Sequence, residues 1–275
     1  MNSINDFSLM NRVIGDCATI QGMNRSETLR LLLSCLDLTT LEATDNDEKV
    51  IALCHQATSY TAQGLPNVAA VCVYPNFTAL VRTKLEGSGV KTACVAGAFP
   101  SGQSPLHIRI EEVKYALEQG AQEIDMVISR GRFLEGDYSF VHDEVEQIKK
   151  VCRYAHLKVI LETGELATPE KIYKASEIAM NAGADFIKTS TGKAQPTATP
   201  EAVWVMLQAI RSHFEKTGHM VGIKPSGGIV EPNQAILYAR LVKEVLGSGW
   251  LNNKLFRLGA SRLANNIANV LQTEK

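Results

Sequence analysis

The sequence predicts a single (β/α)8 barrel with no break in composition along the chain. Three observations lead there. Eight short β-rich runs alternate with longer stretches of helical spacing over 275 residues. A hydrophobic content of 45% supplies one large core, and a charged content of 21% is that of an ordinary soluble protein. The rival doubly wound sheet would usually carry a Gly-rich dinucleotide turn after an early strand, and none is present: 87–89 and 247–249 each read Gly-Ser-Gly and lack the third glycine.

The β-rich runs are 34–38, 68–74, 92–98, 123–128, 158–162, 185–190, 220–224 and 255–258. Between them apolar residues return at helical intervals, as in Val141, Val145, Ile148 and Cys152, and again in Val203, Leu207, Ile210 and Phe214. Thr168-Pro169-Glu170 and Thr199-Pro200-Glu201 each set a capping hydroxyl before a first-turn proline and an acid. Gly120 and Gly183 follow helical patterns where a left-handed cap is expected. A last helix is predicted over 262–271. Residues 1–30, leading into the apolar pattern Leu29, Leu32 and Leu33, read as a helical preface to the barrel.

Charge and cysteine usage narrow the function classes. A formal net charge of -1 offers no broad attraction to nucleic acid or an anionic membrane, so any anion site must be local. Cys17, Cys35, Cys54, Cys72, Cys94 and Cys152 include no CxxC pair, and several sit in apolar runs, which reads as buried thiols in a reducing compartment. Residues 1–6 lack the basic-then-apolar pattern of a signal peptide, and no apolar run approaches the roughly 20 residues of a membrane span. A cytoplasmic enzyme of small molecules is expected, without nucleic acid or membrane as partner. The six histidines show no HxH or HxxxH pattern, so no histidine-held metal is expected. Thr191-Gly192-Lys193 looks like the end of a P-loop, but the earlier glycine position holds Ile187.

Barrel strands point alternate side chains inward, and active sites form where strands end. Lys188 ends the sixth run and Lys224 the seventh. Adjacent strands lie roughly 5 Å apart, which brings the two amines together inside the barrel mouth. Burial and a like charge both disfavour protonation, and an amine attacks a carbonyl only when neutral, so the pair points to a Schiff-base nucleophile. Asp125, among apolar neighbours on the fourth run, serves either as the partner that neutralises a buried lysine or as a proton relay; the two roles are compatible. Asp37 reads equally as a helix cap or as a polar group in the mouth, and Glu162 as mostly structural. Cys72 either faces the substrate or packs in the core. Gly227-Gly228 after the seventh strand and Gly259-Ala260-Ser261 after the eighth are loops in which backbone N–H groups and a helix N-terminus can approach a phosphate, and Gly192-Lys193 extends that cradle.

Taken together, Asp37-Leu38-Thr39-Thr40-Leu41, Cys72-Val73-Tyr74-Pro75, Glu123-Ile124-Asp125-Met126-Val127, Lys158-Val159-Ile160-Leu161-Glu162-Thr163-Gly164, Lys188-Thr189-Ser190-Thr191-Gly192, Lys224-Pro225-Ser226-Gly227-Gly228 and Gly259-Ala260-Ser261 resemble the deoxyribose-phosphate aldolase family, block by block and in order, from about Leu31 to Leu271. The resemblance implies a cofactor-free barrel, usually dimeric, that interconverts 2-deoxyribose 5-phosphate with acetaldehyde and glyceraldehyde 3-phosphate. It makes Lys188 the Schiff-base lysine, Lys224 the neighbour that lowers its pKa, Asp125 the proton-relay acid and Asp37 its organiser. Gly192, Lys193, Gly227, Gly228, Gly259 and Ser261 would hold the phosphate, with Cys72 and Thr189 also beside the substrate. Two positions depart from the family pattern. Val230 stands where an arginine is common, and Arg262 where a second serine is common. Arg262 is expected to replace part of the missing cation. The rival readings are another lysine-dependent barrel aldolase or transaldolase, and a non-catalytic sugar-phosphate-binding barrel.

Overall fold

A computed structural model describes residues 7–15 and 19–274. Its eight strands are β1 (Leu36–Thr39), β2 (Ala70–Val73), β3 (Lys91–Val95), β4 (Glu123–Val127), β5 (His156–Ile160), β6 (Phe186–Lys188), β7 (Gly222–Lys224) and β8 (Leu258–Ala260). All pair in parallel in the order β7-β6-β5-β4-β3-β2-β1-β8. The ring closes between β7 and β8 through bridges from Ile223 to Phe256 and from Ser226 to Gly259, so the predicted (β/α)8 barrel is the fold.

The helices are α1 (Ser8–Ile14), α2 (Arg25–Ser34), α3 (Asp47–Ser59), α4 (Thr78–Lys84), α5 (Leu106–Glu118), α6 (Arg130–Leu134), α7 (Tyr138–Cys152), α8 (Thr163–Leu166), α9 (Pro169–Asn181), α10 (Pro200–Thr217), α11 (Pro232–Leu246) and α12 (Leu263–Thr273). Thr168 and Thr199 cap α9 and α10 as predicted, accepting from Lys171 N at 3.4 Å and from Ala202 N at 3.1 Å. Val141, Val145, Ile148 and Cys152 all face the core from α7. On α10 the stripe holds for Val203, Leu207 and Ile210, whereas Phe214 stays part-exposed and meets Trp250 edge-on at 5.2 Å. In the preface, Asn24 and Glu27 form a capping box for α2, which buries Leu29, Leu32 and Leu33. Cys17 and residues 1–6 lie outside the described residues.

Most strands are shorter than the predicted runs, and three boundaries shift in ways that bear on the barrel's interior and mouth. Ser34 ends α2 and Cys35 caps it, so β1 begins at Leu36. β5 runs His156–Ile160, two residues earlier than 158–162, because Glu162 adopts a left-handed backbone (φ +57°) that leaves the ladder. β8 runs Leu258–Ala260 rather than 255–258, so Gly259 and Ala260 belong to the strand and not to the loop after it. There a side chain is excluded: a Cβ on Gly259 would stand 2.7 Å from Ser226 Cβ and 3.2 Å from Lys224 Cε.

The main apolar core lies between the barrel's outer face and the helices, where Val71, Val73, Cys94, Ile124, Met126, Leu157, Val159 and Ile187 are buried. Inside the barrel the filling is split. Ala70, Cys72, Ala93 and Val95 pack a small apolar patch from β2 and β3. Beside Phe186, whose ring lies against Arg257, much of the remaining interior carries charge, contrary to the branched aliphatic filling usual for such barrels. The five described cysteines, Cys35, Cys54, Cys72, Cys94 and Cys152, are free and buried. Among the described residues no helix is long and apolar enough to cross a membrane.

Candidate active site

Register places the chemistry. Asp125 pairs with Lys158 across β4 and β5, Lys188 with Lys224 across β6 and β7, and Asp37 with Gly259 across β1 and β8. With side chains alternating along each strand, all five charged groups point to the barrel axis. Lys188 Nζ and Lys224 Nζ donate to the same oxygen of Asp125, each at 2.7 Å. Lys224 Nζ also lies 2.5 Å from Asp37 Oδ2. The two amines, expected to be neighbours from their strand-end positions, share one carboxylate.

Beneath them is a second tier that the sequence reading did not assign. Lys158 Nζ lies 2.5 Å from Glu123 Oε2, 3.1 Å from Asp125 Oδ1 and 3.2 Å from Asp37 Oδ2. Arg257 donates to Asp37 Oδ1 at 2.6 Å and to both oxygens of Glu123, at 2.8 and 3.0 Å. The signal was available: Glu123 precedes Asp125 by one strand period and so shares its face, and Arg257 alternates with the apolar Phe256 and Leu258, which puts it on the same side as Gly259.

The groups respond differently to this crowding. Burial pulls the Lys188 amine below its ordinary pKa; Asp125 opposes that, and Lys224 adds to it. The predicted neighbour effect is present, but burial is the larger cause. Burial acts on Lys224 in the same sense, yet Asp125 and Asp37 outweigh it and push its pKa up. Lys158 follows Lys224, held protonated by Asp125, Asp37 and Glu123 against burial. Burial alone would raise the Asp37 and Asp125 carboxyls, but Lys158, Lys224 and their other cationic neighbours hold both well below the usual carboxylate range.

Above Lys188 opens a cavity of about 360 Å³. Lys188 forms part of its floor; Gly192, Lys193, Gly227, Gly228, Gly259 and Ser261 line one side, and Thr39 to Glu42 the other. Val230 and Arg262 also border it. Gly227 and Gly228 have positive φ (+86° and +71°), and a Cβ on Gly227 would meet Thr197 Cβ at 2.6 Å. Lys193 Nζ reaches across the mouth to Glu42 Oε1 at 3.0 Å.

Two predicted substrate contacts stand elsewhere. Cys72 packs in the small apolar patch below the cavity and does not line it; burial pushes its thiol up to about 11, so it adds no charge at neutral pH. Thr189 faces away, accepting from Ser226 N at 3.0 Å and contacting Ser226 O at 3.3 Å, where it fixes the strand ends rather than the cavity wall. Asp37, Asp125 and Lys224 do not line the cavity; Asp125 meets it through Lys188.

Glu162, read as mostly structural, anchors the loop that carries Gly192 and Lys193. Its carboxylate accepts from Thr191 N at 3.2 and 3.3 Å and from Thr191 Oγ1, and Thr191 Oγ1 in turn accepts from Lys193 N at 3.1 Å. Arg130 joins that carboxylate at 3.4 Å to Glu165 Oε2 at 2.6 Å and to the carbonyls of Pro100 and Ser101.

Residues 31–248 match the model of the DeoC/LacD family aldolases. The deoxyribose-phosphate aldolase of Homo sapiens is 46% identical over 244 residues, 84% of this chain and 77% of that one. The mouse enzyme of the same name is 46% identical over 245 residues, with the same coverage of each chain. Among solved structures, the tetrameric deoxyribose phosphate aldolase of Aeropyrum pernix superposes with a TM-score of 0.72 at 25% identity, covering 97% of this chain and 98% of that one. Family match, high identity over most of the length and a shared barrel agree: the chain belongs to the DeoC/LacD family of aldolases.

Proposed function

We propose that this chain cleaves 2-deoxyribose 5-phosphate to acetaldehyde and glyceraldehyde 3-phosphate, and runs the reverse addition, through a Schiff base on Lys188. One observation carries the reading. The amine whose pKa is lowered stands on the floor of the cavity, and the amine beside it, held protonated by two carboxylates, does not reach the cavity.

The geometry gives each group a task. Neutral Lys188 attacks C1 of the open-chain sugar, and the carbinolamine loses water to form an iminium. The C3 hydroxyl then gives up its proton, through water, to Asp125; the C2–C3 bond breaks and its electron pair flows to the iminium, leaving glyceraldehyde 3-phosphate and an enamine. Protonation at C2 and hydrolysis release acetaldehyde and restore the amine. Asp125, 2.7 Å from both amines, is placed to pass protons between Lys224 and the group on Lys188, and Asp37 holds Lys224 at 2.5 Å. The electron sink is the iminium itself, so the scheme invokes no cofactor or metal. The glycine-lined side of the cavity, with Lys193, Ser261 and Arg262, receives the phosphate. A reducing, cytoplasmic setting fits the five free buried cysteines, and a homodimer is the assembly the family resemblance implies.

Borohydride reduction in the presence of acetaldehyde tests this. A covalent adduct on Lys188 is expected in the wild type and none in Lys188→Leu, whose cleavage of deoxyribose 5-phosphate should fall by about 10⁴-fold or more. An adduct on a different lysine, or cleavage surviving in Lys188→Leu, would overturn it.

A further inference from the structure

The barrel axis holds three carboxylates, Asp37, Glu123 and Asp125, and four basic side chains, Lys158, Lys188, Lys224 and Arg257. All seven are at most 4% exposed, and ion pairs join them into one cluster. Net charge in such a place is costly, so the cluster favours the state in which acids and bases balance. Balance requires that one of the four bases give up its proton. The contacts say which. Lys158 pairs with three carboxylates and Lys224 and Arg257 with two each, whereas Lys188 touches Asp125 alone. Cys72, which faces the same groups from β2, stays a neutral thiol and leaves the count unchanged.

We propose that Lys158 and Glu123, neither of which lines the cavity, are positioning residues that decide whether Lys188 carries a proton by fixing the charge count of the buried cluster. The inference rests on the assignment of Lys188 as the nucleophile. It differs from a local effect of Lys224 because it depends on the sum. Removing the Lys158 cation leaves three acids facing three bases, and balance then requires Lys188 to be protonated. Neutralising Glu123 leaves two acids facing four bases, and Lys188 is deprotonated more readily still. Doing both leaves one base in excess, the wild-type balance.

The initial rate of cyanoborohydride-trapped N-ethyl adduct formation on Lys188, measured against pH with acetaldehyde, reads this count. Relative to wild type, the midpoint should move up by about one pH unit or more in Lys158→Met and down by a similar amount in Glu123→Gln. In Lys158→Met/Glu123→Gln it should return to within about half a unit of wild type. Midpoints that stay fixed, or move the same way in both single variants, would overturn the proposal, because a merely structural role has no reason to give opposite signs. If Lys158→Met does not fold, Glu123→Gln and the double variant decide the matter. Competitive labelling of Lys188 by acetic anhydride gives the same midpoints without aldehyde chemistry. Ordered labelling midpoints without any adduct would thus sink the aldolase reading alone, and an adduct with unordered midpoints would sink the charge count alone.

Discussion

Arg262 stands at the rim of the cavity as the residue before α12, beside Ser261 and across from Val230, which has no charge to offer a phosphate. Lys193 is the other cation on that side, and it is spoken for by Glu42 at 3.0 Å until a substrate competes for it. Arg262→Ala should therefore raise KM for deoxyribose 5-phosphate by about three- to tenfold, a modest figure because the side chain is exposed and screened by salt. Its kcat should change little. A KM that stays put, measured at low ionic strength, would remove Arg262 from phosphate binding. The sequence marked this position by its departure from the family pattern, and the structure puts it at the cavity. Cys72 and Thr189 show the opposite case. Both lie in motif blocks, but a strand period of two turns neighbours of an inward residue outward, and a small interior patch claims a cysteine that does point in.

Loops, unlike strands, are positioned by contacts that no periodicity reveals. The β6–α10 loop takes its shape from Glu162, which sits on a different connection, between β5 and α8, in a left-handed conformation. Nothing in the sequence around Glu162 signals that conformation, which is why it read as a strand end and why the β5 boundary moved. Its carboxylate is half of a brace that runs through Arg130 to the β3–α5 loop at Pro100 and Ser101. In Glu162→Ala the buried Thr191 N–H and hydroxyl lose their acceptor, which costs about 1–3 kcal/mol and loosens the backbone at Gly192 and Lys193. We expect KM for the phosphorylated sugar to rise about tenfold, the effect of roughly 1.4 kcal/mol of that loss falling on binding, while trapping of unphosphorylated acetaldehyde on Lys188 is unchanged. Equal losses in both would mean that the brace supports the barrel mouth as a whole. The β8 shift has a similar origin. Gly259 is a strand residue paired with Asp37, and it is glycine because Ser226 and Lys224 leave no room for a Cβ, a tertiary fact that looks like a loop glycine in sequence.

For the molecule as a whole, the barrel was legible because eight β-rich runs and the helical stripes between them repeat one unit, and closure follows from that count. The two amines were legible because each ends a predicted strand, and adjacent strand ends must meet. What lay hidden is collective. Glu123, Lys158 and Arg257 are ordinary charged residues one at a time; only register across four strands and the β7–β8 closure makes them one buried cluster with an odd base. The protonation of Lys188 is thus a property of the whole barrel interior as much as of its nearest neighbour. The most direct measurement is a nitrogen-15 titration of the lysine side chains, with the Lys188 resonance assigned by its loss in Lys188→Leu. In the folded protein that amine should lose its proton below the roughly 10.4 of a free lysine, while the Lys224 and Lys158 ammonium groups persist above it. A Lys188 resonance that titrates at or above the free-lysine value, or a Lys224 resonance that titrates first, would contradict the account.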